Sequence, residues 1–126
     1  MKSKSKVNLD DFFRDKRGII YNLINLNFGS CLFIKSKNNT IRANHYHKKD
    51  SHWSYIISGS MEYYEENRSG KIDKIIVKKG EMVYSAPKVP HAMKFLEPSV
   101  FIALTTKKRK SGKYDKDTVP YKLIEK

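Results

Sequence analysis

The chain has a single cysteine, a single tryptophan, four prolines and six glycines in 126 residues, and each scarcity excludes something. With Cys31 alone, no intramolecular disulfide and no cysteine-ligated zinc site is possible, and a reducing compartment is the expected setting. No run approaches the roughly 20 apolar residues of a membrane span. The basic start "MKSKSKVNLDDFF" has no apolar stretch behind it of the kind a signal peptide needs. A soluble, cytoplasmic chain without a membrane partner is therefore expected. Acidic residues are few, 13 against 26 basic ones, for a formal charge of +13. That excess invites a nucleic-acid reading, because phosphate neutralisation by Lys and Arg supplies most non-specific affinity. Arginine is scarce as well, however, at five residues against 21 lysines. Bidentate recognition of phosphates and bases favours arginine, and neither a basic helix nor an aromatic RNA-binding motif is present, so no nucleic-acid partner is expected. The lysines are scattered, densest at "KKRKSGK" (107–113), and a surface of this kind attracts small anionic substrates such as nucleotide-linked sugars.

What the chain does have is a succession of short runs rich in Ile, Val, Tyr and Phe, punctuated by Gly, Asn, Ser and Pro every eight to twelve residues or so, which is the spacing of an all-β sandwich or barrel. Strands are expected at 18–26, 30–37, 40–47, 52–58, 60–66, 72–78, 81–85, 91–96 and 99–106. "NRSGK" (67–71) reads as a hairpin loop, and Pro87 and Pro90 bar a strand from crossing "APKVP". Only the first dozen residues and the tail carry a weak helical tendency. The tail, with Tyr114, Val119, Tyr121, Leu123 and Ile124, has enough apolar surface to pack on the body or on a second subunit. With no repeat and no low-complexity segment, residues 1–126 are expected to form one domain.

The four histidines are the main chemical signal. Residues two apart on a strand share a face, so His45 and His47 present converging imidazoles. His52 heads the next strand after a short turn, and His91 follows the Pro-rich turn at the start of another, where His91, Met93 and Phe95 share one face. At strand starts in a barrel four such side chains can meet at one interior point, and first-row divalent metals accept imidazole readily. The plain alternative is a set of polar residues at a barrel mouth.

These residues resemble the two motifs of the cupins, small double-stranded β-helix (jelly-roll) barrels. The first motif, G(X)5HXH(X)3,4E(X)6G, is matched by "HYH" at 45–47, His52 in the Glu slot and Gly59, without the leading Gly. The second, G(X)5PXG(X)2H(X)3N, is similar to Gly80, "EMVYS", "APKVP", His91, "AMK" and Phe95, with Ala86, Lys88 and Phe95 replacing Pro, Gly and Asn. The resemblance covers roughly residues 40–105 and implies an all-β jelly-roll fold. All four histidines of the chain fall in slots from which cupins ligate metal. A divalent transition metal (Zn, Fe, Ni, Mn or Cu) on His45, His47, His52 and His91 is therefore the leading expectation, acting as a Lewis acid on a small, carbohydrate-like substrate.

A second resemblance implies a rival chemistry. "RDKRGII" (14–20) and "RANHYHK" (42–48) resemble the D-x-R-G and R-G-x-H-x-H-K stretches of dTDP-sugar 3,5-epimerases and 3,4-ketoisomerases, cupins that use no metal. That resemblance implies His45 and His47 as acid/base catalysts next to a sugar ketone, a task suited to imidazole. It also implies Arg42 on the nucleotide diphosphate. Strand parity opposes this use of Arg42, which projects away from His45 unless the strand bulges near Ala43, where the family has Gly.

Among the aromatic residues around the histidines, Trp53, Tyr63 and Tyr64 are read as packing, with Tyr55 and Tyr84 as substrate-binding candidates. Asp50 and Glu81 read as exposed turn carboxylates, or else as acceptors for imidazole N–H groups. Cys31 reads as a small buried hydrophobe. Three classes remain open: a metal-dependent enzyme, a metal-free nucleotide-sugar isomerase, and a non-catalytic carbohydrate-binding or sensing cupin. A homodimer is the expected assembly.

Overall fold

Period-two alternation buries one face of a strand and leaves the other out, and the chain follows that rule almost throughout. The computed structural model describes residues 5–108 and 116–125. They form eleven strands: β1 (Phe12–Asp15), β2 (Gly18–Tyr21), β3 (Ser30–Ser36), β4 (Ile41–His47), β5 (His52–Ser58), β6 (Ser60–Glu66), β7 (Ile72–Lys78), β8 (Met82–Ser85), β9 (His91–Phe95), β10 (Ser99–Thr105) and β11 (Thr118–Pro120). Every pairing is antiparallel. One sheet runs β3-β10-β5-β8, the other β11-β4-β9-β6-β7, and β1 and β2 form a separate hairpin. This is an all-β fold of the kind expected from the spacing of the strands, in the jelly-roll form that the cupin resemblance implies.

The inner faces of the two sheets make the core. Ile56, Val83, Phe101 and Ala103 from the four-stranded sheet meet Met61, Tyr63, Val77, Met93 and Phe95 from the other. Phe95 and Phe101 stack across the gap with ring centroids 5.4 Å apart. Each large apolar side chain buried here contributes about 2 kcal/mol. At one end of the barrel polar side chains replace the apolar ones, where His52 lies opposite Thr105 and Ser85 in register and His45 lies opposite His91.

Strands β5, β6 and β7 have the bounds read from the sequence, whereas the ends of the chain differ. The expected strand 18–26 stops at Tyr21, because Asn22 turns back to Asp11 through N–H to O (2.9 Å) and Nδ2 to Oδ2 (2.7 Å). The N-terminal stretch is extended rather than helical. Tyr84 N–H donates to Ser5 O and Val7 N–H to Met82 O, which lays this segment along the edge of β8, and β1 follows. The tail forms β11 on the edge of β4, so its apolar residues pack on their own barrel; Tyr114 and most of the lysine cluster lie outside the described residues. Cys31 is exposed, a correction that follows from parity, since Leu32 and Ile34 take the inner face of β3.

The departure with most consequence lies in β4. Ala43 and Asn44 both have left-handed backbone, φ 68° and 55°, and the register with β9 slips there, from Ala43 opposite Ala92 to His45 opposite His91. Asn44 is the extra residue of a bulge. Arg42, opposite the core residue Met93, therefore faces inward, and so does His45, although the two are three apart. The sequence expectation that they project to opposite sides is corrected. At Gly59, between β5 and β6, φ is +90° and a Cβ would fall 2.2 Å from Ser99 Oγ, so this motif glycine has no room for a side chain.

A left-handed L-residue costs about 1–2 kcal/mol, and glycine relieves that strain at some entropic expense. Ala43→Gly is expected to leave stability unchanged or raise it by up to about 1 kcal/mol in urea unfolding, while Ala43→Val should lower it by about 2 kcal/mol. Marked destabilisation by glycine would show that the bulge is not strained at this position.

Candidate functional site

Because the bulge turns β4 over, His45 and His47 enter the barrel, where β5 supplies His52 and β9 supplies His91. Ring centroids are 4.5 Å apart for His45 and His47, 4.9 Å for His45 and His91, 4.3 Å for His47 and His52, and 5.6 Å for His47 and His91. His47, His52 and His91 are buried, whereas His45 is half-buried and is the imidazole that a molecule from solvent reaches first.

The four do not form one ligand set. Nitrogens of His45, His47 and His91 lie within 4.8 Å of one another, while His52 groups with His47 and Asp50. The cause is Asp50. It is 1 % exposed, and its Oδ2 lies 2.9 Å from His52 Nε2. Its Oδ1 accepts from Thr106 Oγ1 at 2.7 Å and from Lys107 N–H at 3.0 Å. Burial pushes this carboxyl up, but the hydrogen bonds from His52, Thr106 and Lys107 and the attraction of the His52 ring outweigh it and hold the group well below the usual carboxylate range. An ionised carboxylate only accepts, so His52 Nε2 donates. The reading of Asp50 as an exposed turn carboxylate is thus corrected. Glu81 is engaged elsewhere, with Lys6 Nζ at 3.1 Å.

His91 and His47 are anchored through Nδ1. His91 Nδ1 donates to Val89 O at 3.0 Å, which leaves Nε2 as the acceptor, and Thr118 Oγ1 of the tail strand lies 3.2 Å from His47 Nδ1. Burial above all, with the neighbouring His47 and His52 adding to it and the Val89 hydrogen bond opposing, brings His91 down to about 4, so this ring is uncharged near neutral pH. Two imidazoles with an outward-tethered nitrogen, His47 and His91, together with His45 are a donor set suited to a first-row divalent ion, so the three fit a metal in chemistry and proximity.

The tyrosine candidates fare differently. Tyr55 and Tyr84 alternate with the buried inner residues Ser54, Ile56, Val83 and Ser85, so both lie on the outer face of the four-stranded sheet, away from the histidines, where Tyr84 packs on Trp53 at 4.9 Å. The aromatic residue at the site is Tyr63, stacked on His91 at 6.1 Å and hydrogen-bonded to Ser85 Oγ at 2.9 Å. Burial raises its hydroxyl well above the usual tyrosine range, which keeps it a proton-bearing donor. Glu65, opposite His91 in register, accepts from Ser5 Oγ. Parity along β6 was the available signal, since 61, 63 and 65 share the inner face. Arg42 is directed to β3, with Nε donating to Ser36 Oγ (2.6 Å) and a terminal nitrogen to Lys35 O (3.0 Å). Ser36 pairs with Ser99 at the end of β10 away from His52, so the structure does not bring Arg42 to the histidines. A groove of about 890 Å³ also lies apart from them, lined by Lys6, Leu9, Tyr21, Ile75, Ile76 and Glu81.

Residues 32–105 match the family described as Cupin domain. No curated protein matches the chain in sequence. Among solved structures the fold is similar to that of WlaRB, a TDP-quinovose 3,4-ketoisomerase from Campylobacter jejuni, with TM-score 0.75, 20% identity, and coverage of 91% of this chain and 90% of that one. A mutant of the 3,4-ketoisomerase QdtA from Thermoanaerobacterium thermosaccharolyticum, in complex with TDP-4-keto-6-deoxyglucose, gives 0.72 at 18% identity, covering 94% and 89%. The dTDP-4-dehydrorhamnose 3,5-epimerase from Sulfolobus tokodaii gives 0.65 at 21%, covering 79% and 68%. At these identities the likeness is one of fold. Among the described residues no helix is long and apolar enough to cross a membrane.

The depressed His91 has a consequence for stability. A histidine whose folded pKa lies below its unfolded value supports the fold fully above the unfolded value, about 6.5, and loses that support as pH falls toward about 4. With EDTA present, urea unfolding should show about 2 kcal/mol less stability at about pH 5 than at about pH 7.5, and His91→Gln should flatten that difference. An unchanged pH dependence in the variant would assign it to another group.

Proposed function

The chain belongs to the cupin family, and on that premise we propose that it is an isomerase or epimerase of nucleotide-linked keto-deoxysugars, with His45 and His47 as the proton carriers. The observation that carries the reading is the gradient of burial within the cluster. His45 is half-open, and the rings of His47 and His91 stand 4.5 and 4.9 Å behind it. One imidazole reaches substrate while the ones behind it set its charge and receive its proton. The likeness in fold to 3,4-ketoisomerases and a 3,5-epimerase supports the substrate class, as does a basic chain that attracts a nucleoside diphosphate.

The reaction needs no oxidant. His45 takes the proton from the carbon beside the sugar ketone, and the released pair forms a C=C bond to the former carbonyl carbon, whose oxygen becomes an enol. Return of a proton to the same carbon from the opposite face is epimerisation. In ketoisomerisation the hydroxyl on the deprotonated carbon gives up its proton as its C=O forms, and a proton is placed on the former carbonyl carbon. The hydroxyl of Tyr63 is buried behind His91 and paired with Ser85, so the proton transfers of both outcomes are assigned to His45 and His47.

A second reading keeps the metal. Its support is the proximity of the His45, His47 and His91 nitrogens, and a bound divalent ion would supply Lewis acidity toward a substrate oxygen. One experiment separates the two. Incubated with TDP-4-keto-6-deoxyglucose in D2O, the EDTA-treated protein should move the ketone or exchange ring hydrogens, and His45→Asn and His47→Asn should each cut turnover at least about 100-fold. If the protein instead carries one equivalent of a transition metal by elemental analysis and EDTA abolishes turnover, the metal reading replaces the first.

The assembly belongs to the same proposal. Phe13, Ile20 and Phe33 are 57%, 67% and 64% exposed, and the hairpin β1-β2 and the outer face of the four-stranded sheet together leave a broad apolar surface for a second copy. A homodimer of twice the 14.7 kDa chain mass is expected by sedimentation, and a Phe13→Lys, Ile20→Lys double variant should sediment at the monomer mass. A wild-type monomer at micromolar concentration overturns it.

A further inference from the structure

Beside the three-histidine group stands a pair that the acid/base reading does not use. Asp50 lies in the turn between β4 and β5, two residues before His52, yet it is 1 % exposed and all three of its side-chain donors come from its own barrel. Thr106 and Lys107, just after β10, occupy Oδ1, and among the described residues only His52 approaches Oδ2. The turn itself is held from the other side, where Asp117 accepts from Lys49 N–H and Asp50 N–H, each at 2.9 Å.

We propose that Asp50 and His52 are positioning residues for His47: Asp50 fixes His52 as the donor at Nε2 and thereby holds that ring in place against the His47 ring. The His52 ring lies 4.3 Å from the His47 ring, tilted by 33°, and His47 lies 4.5 Å from the half-open His45. The result is a row running from solvent to a buried negative charge, His45, His47, His52, Asp50. A positive charge arriving on His45 or His47 is stabilised by the carboxylate behind. The inference rests on the isomerase reading for its kinetic consequence but not for its structural one.

The amide variant tests it sharply. In Asp50→Asn the Thr106 hydroxyl and the Lys107 N–H both still require an acceptor, so the amide oxygen stays with them and the amide NH2 turns to His52. A donor now faces Nε2, which must accept, and the ring is driven to the Nδ1–H tautomer. In 15N-labelled protein, long-range 1H–15N spectra of the imidazoles are expected to show His52 protonated at Nε2 in the wild type and at Nδ1 in Asp50→Asn, with the His47 pattern changed as well. Turnover of TDP-4-keto-6-deoxyglucose should fall about 100-fold in kcat with KM within about threefold, since neither residue contacts substrate. His52→Gln keeps a donor toward Asp50 and serves if Asp50→Asn does not fold; it should show the same split of kcat from KM and a changed His47 pattern. A wild-type His52 protonated at Nδ1, or His47 and His52 patterns unaltered in Asp50→Asn, overturns the inference, as does full kcat in a folded variant. Absence of wild-type turnover counts against the isomerase reading alone, because the tautomers are then still read from the spectra.

Discussion

Two consecutive left-handed residues in β4 are the constraint on which the site depends. Were β4 regular, the inward position of Arg42 would carry residues 44 and 46 into the barrel and send both histidines of "HYH" to the outside. Inserting Asn44 as an extra residue reverses the alternation, at a conformational cost that an alanine and an asparagine bear in place of glycine. The asparagine offsets part of this itself. Its Oδ1 accepts from Leu123 N–H at 3.0 Å and Ile124 N–H at 3.2 Å, and its Nδ2 donates to Ile124 O at 3.1 Å, which pins the tail to the bulge. The pinned tail then forms β11 and brings Thr118 to His47. One backbone irregularity thus turns the two imidazole rings of β4 inward and also recruits the strand that holds one of them.

The charge balance around the rings follows from where their partners come from. A cluster of four imidazoles cannot hold several positive charges at once, because each disfavours the next and burial disfavours all of them. His91 meets this by remaining neutral, tethered to a backbone carbonyl. His52 meets it through a buried carboxylate. His45 and His47 are left between these two, one backed by a neutral ring and one by a ring hydrogen-bonded to a carboxylate, and that asymmetry is what a site needs if a proton is to be accepted at one place and released at another.

Much of this was legible in the sequence, and the illegible parts share a cause. The strand bounds of β5, β6 and β7 and the gathering of the four histidines follow from local alternation and motif spacing, although His45 and His47 lie at the end of β4 while His52 and His91 open β5 and β9. Parity also contained the outward orientation of Tyr55, Tyr84 and Cys31 and the inward one of Tyr63 and Glu65, since each is fixed by its distance from His52, Leu32 or Met61 along its own strand. Asp50 was not readable in this way. In "HKKDSH" it has the look of an exposed turn residue, and what buries it is a pair of donors 56 and 57 residues later. The bulge was hidden for a related reason, as alanine at a left-handed position leaves no signature where glycine would. The helical tendency of the chain ends was outweighed by free strand edges on β8 and β4, which offer hydrogen bonds that an isolated short helix cannot match.

The difference between His52 and the other three rings bears on how this barrel relates to metal-binding ones. A metal ligand needs its second nitrogen tethered outward and its first left with a lone pair toward the ion. His91 has that arrangement through Val89, and His47 has the same through Thr118. His52 occupies the slot in which cupins carry glutamate, but its nitrogen groups with His47 and Asp50 and not with His45 and His91. An ion here would have three imidazoles and open positions, while the carboxylate and its ring stay behind as a fixed electrostatic backing. The same Asp50–His52 pair suits metal-free proton transfer for the same reason: it cannot leave its place, so it can only act through His47.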